Sequence, residues 1–304
     1  MALFDRFRPA PRWLPGAPSG EAPASVAYDS HAAFIAVLDG QRARFDAQWR
    51  LQCEVAAATG TSGWPGWCGL CSQPVAFALP STEHGAAANL REELVCPGCR
   101  LTARNRAALA LLCHGLPLDS ARVYLTEQAS AAYVWLQQRC PGLMGSEFGF
   151  DDAGHARLTT AYRALGGRGD IVARDVTALD FATGSLDAIG CFDVLEHVPD
   201  YRAALAEFAR CLTPGGRLAL TVPFLERDEA TLVRARLDAQ GAVQHLCEPE
   251  IHGDPVNGGV LCFYHFGWDL LASVRAAGFR DAQWVRTWSP REGLFGLFTL
   301  MAVR

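Results

Sequence analysis

The sequence has no uninterrupted apolar run that approaches the roughly 20 residues of a membrane-spanning helix, and its first residues hold no apolar stretch long enough for a signal peptide. We therefore expect a cytoplasmic protein without a membrane partner. Basic residues are not in excess either, because 27 Lys and Arg stand against 32 Asp and Glu, which gives a net charge of −5. No overall field then favours nucleic acid, so the expected partner is a small-molecule substrate. The sequence leaves open whether the chain forms a homodimer.

Disulfide bonds are a further expected absence, although the chain has 11 cysteines, because a cytoplasmic compartment keeps thiols reduced. Four cysteines form two Cys-x-x-Cys pairs, Cys68 with Cys71 and Cys96 with Cys99. Two such pairs that face each other give a tetrahedral four-sulfur site for zinc. Iron, or four unconnected structural cysteines, are the alternatives. A closed four-thiolate site has no open position for substrate, so we expect the zinc to be structural.

Nucleic-acid binding is a common role of zinc ribbons, and arginines do surround the two cysteine pairs. Glutamates interleave with them, however, and no pattern of aromatic residues for base stacking is present, which disfavours this role. The residues concerned are Arg91, Arg100, Arg104, Arg106, Glu83, Glu92 and Glu93.

The chain divides into three predicted regions. Residues 1–60 hold an arm rich in Pro, Ala and Gly and an amphipathic helix over 31–58 that is interrupted near Gly40. Residues 61–118 hold the zinc-ribbon-like module and a connecting helix. Residues 119–304 alternate strand and helix signals, which is typical of right-handed βαβ units on a mostly parallel sheet. The predicted strands are Arg122–Thr126, Leu143–Phe148, Asp170–Asp175, Asp187–Phe192, Gly216–Val222, Asp281–Thr287 and Gly296–Val303.

Two segments of the third region carry a family resemblance. Residues 185–199 read SLDAIGCFDVLEHVP, and residues 212–224 read LTPGGRLALTVPF. They predict a strand that ends in polar residues, a helix, a Pro-Gly-Gly turn and a second strand. Both segments resemble class I methyltransferases that use S-adenosylmethionine (SAM). The resemblance implies an α/β fold with a doubly wound, mostly parallel, Rossmann-like sheet, in which ligands bind beyond the carboxyl ends of the strands.

The first strand of this region ends in the segment 124–128, YLTEQ, without the glycine-rich turn that is usual in the superfamily. Together with GSEF at 145–148, this segment resembles a subgroup of methyltransferase-like proteins that carry an N-terminal zinc ribbon with four cysteine ligands. The resemblance implies that three side chains replace the glycine-rich turn and bind the amino-acid end of SAM. These are Thr126, Glu127 and Gln128.

The resemblance also assigns contacts to the later strand ends. Glu147 would accept hydrogen bonds from both ribose hydroxyls, because a carboxylate has the two acceptor oxygens that a cis-diol requires. Asp175 would accept from the adenine amine, and the backbone amide of Val176 would bind the ring. A helix cap or a solvated strand end is the alternative for each acid. After the fourth strand, Asp193 and Glu196 would lie near the sulfonium.

Histidines supply the catalytic candidates. His197 would act as a base or hold the start of a helix. The segment 248–269 is rich in polar side chains, and there the resemblance implies an acceptor pocket lined by His252, Asp254 and Tyr264, with His252 as the base or orienting donor. An ordinary long loop with turn residues is the alternative.

The sequence therefore predicts an enzyme, a SAM-dependent methyltransferase that acts on nitrogen or oxygen of a small molecule and holds a structural zinc. Two alternatives stay open. One is other SAM chemistry on the same fold, such as cyclisation of the aminobutyrate arm of SAM. The other is a non-catalytic module that recognises a protein or nucleic acid, since fold alone does not decide function.

Overall fold

The computed structural model describes residues 24–57, 63–78, 88–253 and 258–304. The chain forms two compact units. The N-terminal unit is Met1–His114 together with Gln283–Thr299, and the central unit is Gly115–Ala282 together with Leu300–Arg304. The sequence-based division placed 283–299 in the large domain, whereas the structure groups these residues with the N-terminal unit. None of the helices in the described ranges is long and apolar enough to cross a membrane.

The strands, in chain order, are β1 (Ala24–Tyr28), β2 (Trp64–Cys68), β3 (Gln73–Phe77), β4 (Val123–Leu125), β5 (Leu143–Gly145), β6 (Leu186–Phe192), β7 (Leu212–Thr221), β8 (Leu232–Val233), β9 (Ala235–Leu237), β10 (Val243–His245), β11 (Ile251–His252), β12 (Val260–Leu261), β13 (Tyr264–His265), β14 (Asp281–Ser289) and β15 (Leu294–Val303).

The α-helices, in chain order, are α1 (His31–Gly40), α2 (Arg42–Ala57), α3 (Leu90–Glu93), α4 (Ala103–Cys113), α5 (Ala131–Gln137), α6 (Asp152–Ala164), α7 (Tyr201–Cys211) and α8 (Leu270–Ala276). Short 3₁₀ turns span Leu195–His197 and Pro290–Glu292.

Two consecutive helices follow the first strand of the N-terminal unit. Ser30 caps α1 by accepting a hydrogen bond from the Ala33 amide at 3.3 Å. The first helix ends at Gly40 and the second begins at Arg42, which confirms the predicted interruption. Glycine is a poor helix former, so the chain can change direction there at little cost. Strand β1 pairs antiparallel with β14.

The core of the N-terminal unit joins parts of the chain that lie far apart in sequence. Buried side chains from α2, the β2–β3 hairpin, α3, α4 and β15 pack in one cluster. The cluster consists of Val55, Ala56, Cys68, Phe77, Leu90, Leu94, Cys96, Ala103, Ala107, Leu294, Phe295 and Leu297. Two of the four cysteines of the Cys-x-x-Cys pairs are therefore part of this core.

A buried arginine in α4 ties the cysteine module to the segment before β15. The guanidinium of Arg106 donates to the carbonyl oxygens of Leu94 at 3.3 Å and Gly293 at 3.2 Å. Its central carbon lies 4.1 Å from the centroid of the Phe77 ring, a cation–π contact. Burial lowers the pKa of Arg106, so these contacts, together with nearby negative groups, must offset the cost of desolvating the charge.

The central unit contains the predicted sheet. Strand β4 pairs parallel with both β5 and β6, and β6 pairs parallel with β7. The last residues of β15 pair antiparallel with β7, so the order within this unit is β5–β4–β6–β7–β15. The predicted α/β class, with a mostly parallel Rossmann-like sheet, is confirmed. The carboxyl ends of β4, β5 and β6 lie at one edge and carry most of the predicted cofactor residues.

The strand predicted over 170–175 is wrong. This segment makes only one β-bridge, between Glu147 and Ala173. The side-chain amide of Gln128 supplies the missing pairing, because its Nε2 donates to the Asp170 carbonyl at 2.7 Å and its Oε1 accepts from the Val172 amide at 2.9 Å. The Gln128 side chain thus hydrogen-bonds the first residues of this segment, whereas the Glu147 backbone pairs with the Val172 carbonyl and the Arg174 amide.

Candidate functional site

The two Cys-x-x-Cys pairs lie on turns of the same construction. In each turn, the fourth residue after the first cysteine donates its amide hydrogen to the carbonyl of that cysteine, Ser72 to Cys68 and Arg100 to Cys96, both at 2.8 Å. Both donors have positive φ angles, 54° for Ser72 and 62° for Arg100. This sharp backbone turn brings the two thiols of each pair to one side. The motif spacing therefore gives two matching knuckles.

The four sulfurs of these knuckles converge. The Sγ atoms of Cys68 and Cys99 are 3.9 Å apart, those of Cys71 and Cys96 are 3.8 Å apart, and all four lie within 4.8 Å of one another. A regular tetrahedron with zinc–sulfur bonds of about 2.3 Å requires sulfur separations of about 3.8 Å. Without metal, hydrogen bonds from the Cys68 and Cys99 thiols lower the pKa of Cys96, so the cluster favours a thiolate there. The donor set and its spacing fit a four-thiolate metal site.

The glycine-free loop after β4 is held by a carboxylate from the next strand end. The amides of Gln128 and Ala129 donate to Oε1 of Glu147 at 2.8 and 2.6 Å. The Thr126 amide continues the strand pairing by donating to the Gly190 carbonyl at 3.1 Å. Ser130 then caps α5. The Glu147 side chain determines the conformation of this loop, so the loop does not require the close approach of backbones that glycine permits.

The contact of Gln128 with the cofactor stays a prediction, and the structure shows hydrogen bonds between its side chain and the protein backbone. Its side chain is 3% exposed, and both of its amide atoms bind the backbone of 170–172. Gln128 therefore shapes the loop. Thr126 and Glu127 directly follow β4, at the edge formed by the carboxyl ends of the parallel strands. Thr126 is buried.

Asp175 and Val176 follow the short bridge that joins Ala173 to Glu147. Oδ1 of Asp175 accepts from the amide and the hydroxyl of Thr177, at 2.8 and 2.7 Å. Val176 is buried. Phe148 is an addition that the sequence reasoning did not assign: it follows Glu147 and its side chain is 70% exposed. The available signal in the sequence was its position directly after Glu147 in the segment GSEF.

Carboxylates gather at the carboxyl end of β6. Asp193 directly follows the strand and has a positive φ of 53°, which is uncommon outside glycine and is a feature of functional sites. Glu196 lies on the turn Leu195–His197 and is fully buried. Burial raises the pKa of the Cys191 thiol, and the charges of Glu196, Glu127 and Asp193 raise it further. These three carboxylates therefore act on one small region around the end of the strand.

The segment 260–265 is fastened to the turn after β6 by three hydrogen bonds. The Phe263 amide donates to the Glu196 carbonyl at 2.8 Å, Nδ1 of His197 donates to the Leu261 carbonyl at 2.9 Å, and the Tyr264 hydroxyl donates to the Pro199 carbonyl at 2.5 Å. Tyr264 is buried, and its ring stacks on that of Phe266. Tyr264 thus anchors this segment, and its place in an acceptor pocket stays a prediction.

Two histidines meet at Glu196. Oε1 of Glu196 lies 3.8 Å from Nε2 of His197 and 3.7 Å from Nδ1 of His252, and the two imidazole centroids are 4.9 Å apart. The structure thus brings together three of the predicted site residues from distant parts of the chain. Asp254, predicted beside His252, lies outside the described residues.

A network around Glu250 supports His252. Oε1 of Glu250 accepts from Nε2 of His252 at 2.9 Å and from Nε2 of His265 at 3.1 Å, and Oε2 lies 3.2 Å from Arg234. Burial alone would raise the pKa of Glu250, but the hydrogen bonds from both histidines, with the charge of Arg234, lower it. Glu250 was not predicted. Its place two residues before His252 on a short hairpin was the available signal.

The sequence and the fold of this chain are similar to those of known proteins. Residues 133–220 match the family model of the methyltransferase domain. This part of the chain is therefore similar to methyltransferase domains. Over 58 residues it is 45% identical to a ubiquinone biosynthesis O-methyltransferase of Xanthomonas oryzae pv. oryzae, a match that covers 19% of this chain and 23% of that protein. The chain thus spans less than a quarter of the length of the curated relatives it matches.

Solved methyltransferases are similar to this chain as well. A SAM-dependent methyltransferase of Mesorhizobium loti is 17% identical, with 68% of this chain and 100% of that chain covered and a TM-score of 0.44. An amino pentose methyltransferase of Micromonospora echinaspora, solved with SAM bound, is 22% identical, with 66% and 87% covered and a TM-score of 0.40.

Proposed function

We propose that this protein is a class I methyltransferase, an enzyme that transfers the methyl group of SAM to oxygen or nitrogen of a small molecule, with a structural zinc in its N-terminal unit. The observation that carries the proposal is the set of carboxylates at the carboxyl ends of β4, β5 and β6. Open α/β sheets bind their ligands at this edge. A pocket that no longer bound SAM would have no need for acids there.

The charges of this edge suit SAM, which carries a positive sulfonium and a positive amino group. Glu127, Asp193 and Glu196 supply negative charge around the end of β6, as their joint effect on the buried Cys191 thiol indicates. We assign the amino-acid end and the sulfonium of SAM to this region, and we assign Thr126 to the amino-acid end. Attraction between these charges is strengthened where water is excluded.

The nucleoside of SAM would lie on the β5 side of the same edge. Glu147 is assigned to the ribose hydroxyls, and its carboxylate is already fixed by the amides of Gln128 and Ala129. Asp175 and the amide of Val176 are assigned to the adenine. The exposed ring of Phe148 offers an aromatic face next to the ribose carboxylate, which suits stacking on a base.

The acceptor side is assigned to the histidines. When bound, SAM supplies an electrophilic methyl group, so the protein must mainly align an acceptor and manage its proton. His252 is the leading candidate for the group that orients the acceptor, and His197 lies beside it. Asp254 and Tyr264 are assigned to the same pocket. The hydrogen bond from the Tyr264 hydroxyl to the Pro199 carbonyl holds Tyr264 beside it.

The zinc assignment rests on the four sulfurs of the N-terminal unit and their tetrahedral spacing. A closed site of four thiolates stabilises structure, because it leaves no position for substrate. Such a site has a net negative charge, and the buried guanidinium of Arg106 interacts with the charges of Cys68, Cys96 and Cys99. The buried arginine and the thiolates therefore stabilise each other.

Product analysis tests the proposed activity. The full chain is incubated with SAM alone and then with sets of hydroxyl- and amine-bearing metabolites, and the nucleoside products are identified by mass spectrometry. Formation of S-adenosylhomocysteine that depends on an acceptor is the expected result. Methylthioadenosine in the absence of an acceptor would replace methyl transfer by cyclisation chemistry. Absence of SAM binding by calorimetry would favour the non-catalytic module.

A further inference from the structure

We propose that Glu196, His197 and His252 bind a divalent transition-metal ion. Each residue offers one donor atom, and these atoms all lie within 4.8 Å of one another. Two imidazoles and one carboxylate form a donor set that is typical of catalytic zinc and of non-haem iron sites with open positions. This site is distinct from the four-cysteine cluster, which belongs to the N-terminal unit.

The donor atoms must move closer together to hold an ion. Oε1 of Glu196 is 3.8 Å from Nε2 of His197 and 3.7 Å from Nδ1 of His252. Metal–ligand bonds of about 2.1 Å place neighbouring ligand atoms about 3.0–3.4 Å apart in octahedral or tetrahedral geometry. The two distances from Glu196 would therefore shorten by about 0.3–0.8 Å on metal binding, and the two histidine nitrogens, which lie within 4.8 Å of each other, would approach by up to about 1.8 Å.

The hydrogen bonds around both imidazoles orient the right nitrogen toward the centre. A carbonyl oxygen only accepts, so Nδ1 of His197 carries its hydrogen toward Leu261, and the lone pair is on Nε2. The carboxylate of Glu250 likewise accepts from Nε2 of His252, which leaves the lone pair on Nδ1. Metal-ligating histidines characteristically donate their other ring N–H to a carbonyl or a carboxylate in this way.

A second grouping of possible ligands, Glu250, His252 and Cys262, shares His252 but is the weaker choice. Glu250 already accepts from His252 and His265 and pairs with Arg234. The Cys262 thiol is buried and donates to the Tyr264 carbonyl at 3.3 Å. Glu250 therefore supports the ligand His252 from behind and does not itself bind the ion.

The site is partly open to solvent on its imidazole side. The side chains of His252 and His197 are 30% and 16% exposed, whereas Glu196 is fully buried. Three protein ligands leave at least one position for another oxygen. Resting on the proposed methyltransferase activity, we assign that position to the hydroxyl of the acceptor. The ion would lower the pKa of this hydroxyl, whereas an amine would lose its attacking lone pair to the metal.

The test uses Mn²⁺ as the probe, on the full chain with zinc retained in the cysteine cluster. Mn²⁺ prefers oxygen and nitrogen donors to thiolates, so it discriminates between the two sites. Free Mn²⁺ is measured by electron paramagnetic resonance, and the relaxation rate of water protons reports whether bound Mn²⁺ keeps an open position. The variants are His252→Gln, His197→Gln and Glu250→Gln, and the matched control is His245→Gln, an exposed histidine on β10.

We expect one Mn²⁺ per chain with enhanced water relaxation in the unmodified protein and in His245→Gln. Loss of either ligand histidine should weaken binding at least about tenfold, and Glu250→Gln should weaken it about 10- to 100-fold. Added ion should raise turnover of hydroxyl acceptors and not of amines. No bound Mn²⁺, equal affinity in both histidine variants and the unmodified protein, or no relaxation enhancement would overturn the metal site.

Calorimetry with SAM on the same samples separates this proposal from the proposed function. Metal binding without SAM binding would leave the metal site standing and refute the methyltransferase. SAM binding and acceptor-dependent product without metal binding would refute the metal site and leave the methyltransferase standing. If His252→Gln fails to fold, His197→Gln and Glu250→Gln still decide the result.

Discussion

Replacement of Glu147 tests how the glycine-free loop and the cofactor site are coupled. In Glu147→Ala, the amides of Gln128 and Ala129 lose their shared acceptor. Because Glu147 is only partly buried and water can reach the loop, we expect the free energy of unfolding to fall by about 2 kcal/mol rather than by the full value of two charged bonds. For a unit of this size, that corresponds to a decrease in melting temperature of about 4–8 °C.

The same change should weaken SAM binding. Loss of a charged hydrogen bond to the ribose costs about 1.5–3 kcal/mol, which corresponds to a roughly 10- to 140-fold higher dissociation constant. Glu147→Gln separates the two effects, because the amide keeps an oxygen for Gln128 and Ala129 but cannot accept from both ribose hydroxyls. We expect Glu147→Gln to lose most of the affinity and less than about 1 kcal/mol of stability.

Calorimetry with SAM and thermal unfolding followed by circular dichroism measure both quantities. Asp187→Asn is the matched control, since Asp187 also accepts a backbone hydrogen bond, from the Arg122 amide at 2.8 Å, but lies at the opposite end of β6. It should leave SAM affinity unchanged. Unchanged affinity in Glu147→Gln would refute the ribose assignment, whatever happens to stability.

Three further substitutions test other parts of the structure. Cys71→Ser should remove the bound metal, because it leaves an incomplete tetrahedron, and metal analysis that still finds one zinc per chain would contradict the four-thiolate site. Gln128→Ala should cost about 1–3 kcal/mol and speed amide hydrogen exchange at Val172, which loses its acceptor, and unchanged exchange would contradict the bridging role. Tyr264→Phe should cost about 1 kcal/mol with turnover within about threefold, and a loss of 10²-fold or more would give Tyr264 a catalytic role.

The sequence contained enough to predict the sheet and the clustering of the four cysteines. Apolar runs such as Leu186–Phe192 form strands because a parallel strand is buried on both faces, and this pattern is local. The spacing of two Cys-x-x-Cys pairs is local as well, since each knuckle closes through one backbone hydrogen bond between residues four apart. The interruption at Gly40 has the same origin.

Features that depend on one side chain binding a distant backbone were not predictable. The segment 170–175 has the composition of a strand, but the Gln128 amide occupies the Asp170 carbonyl and the Val172 amide. The approach of His252 to His197 depends on how residues 260–265 fasten to the turn after β6. The candidate residues could therefore be named from the sequence, whereas their grouping around Glu196 could not.

The composition of the N-terminal unit has a consequence for how the protein is made. Its core includes Leu294, Phe295 and Leu297, and Arg106 reaches its partner carbonyl at Gly293 only when that late segment is present. During synthesis at about 5–20 residues per second, the ribosome needs roughly 10–30 s to pass through the central unit before this segment emerges. While the central unit is translated, the two cysteine knuckles therefore lack the part of their hydrophobic core that Leu294, Phe295 and Leu297 supply. The N-terminal unit is therefore completed only after residues 115–282 of the central unit have been translated.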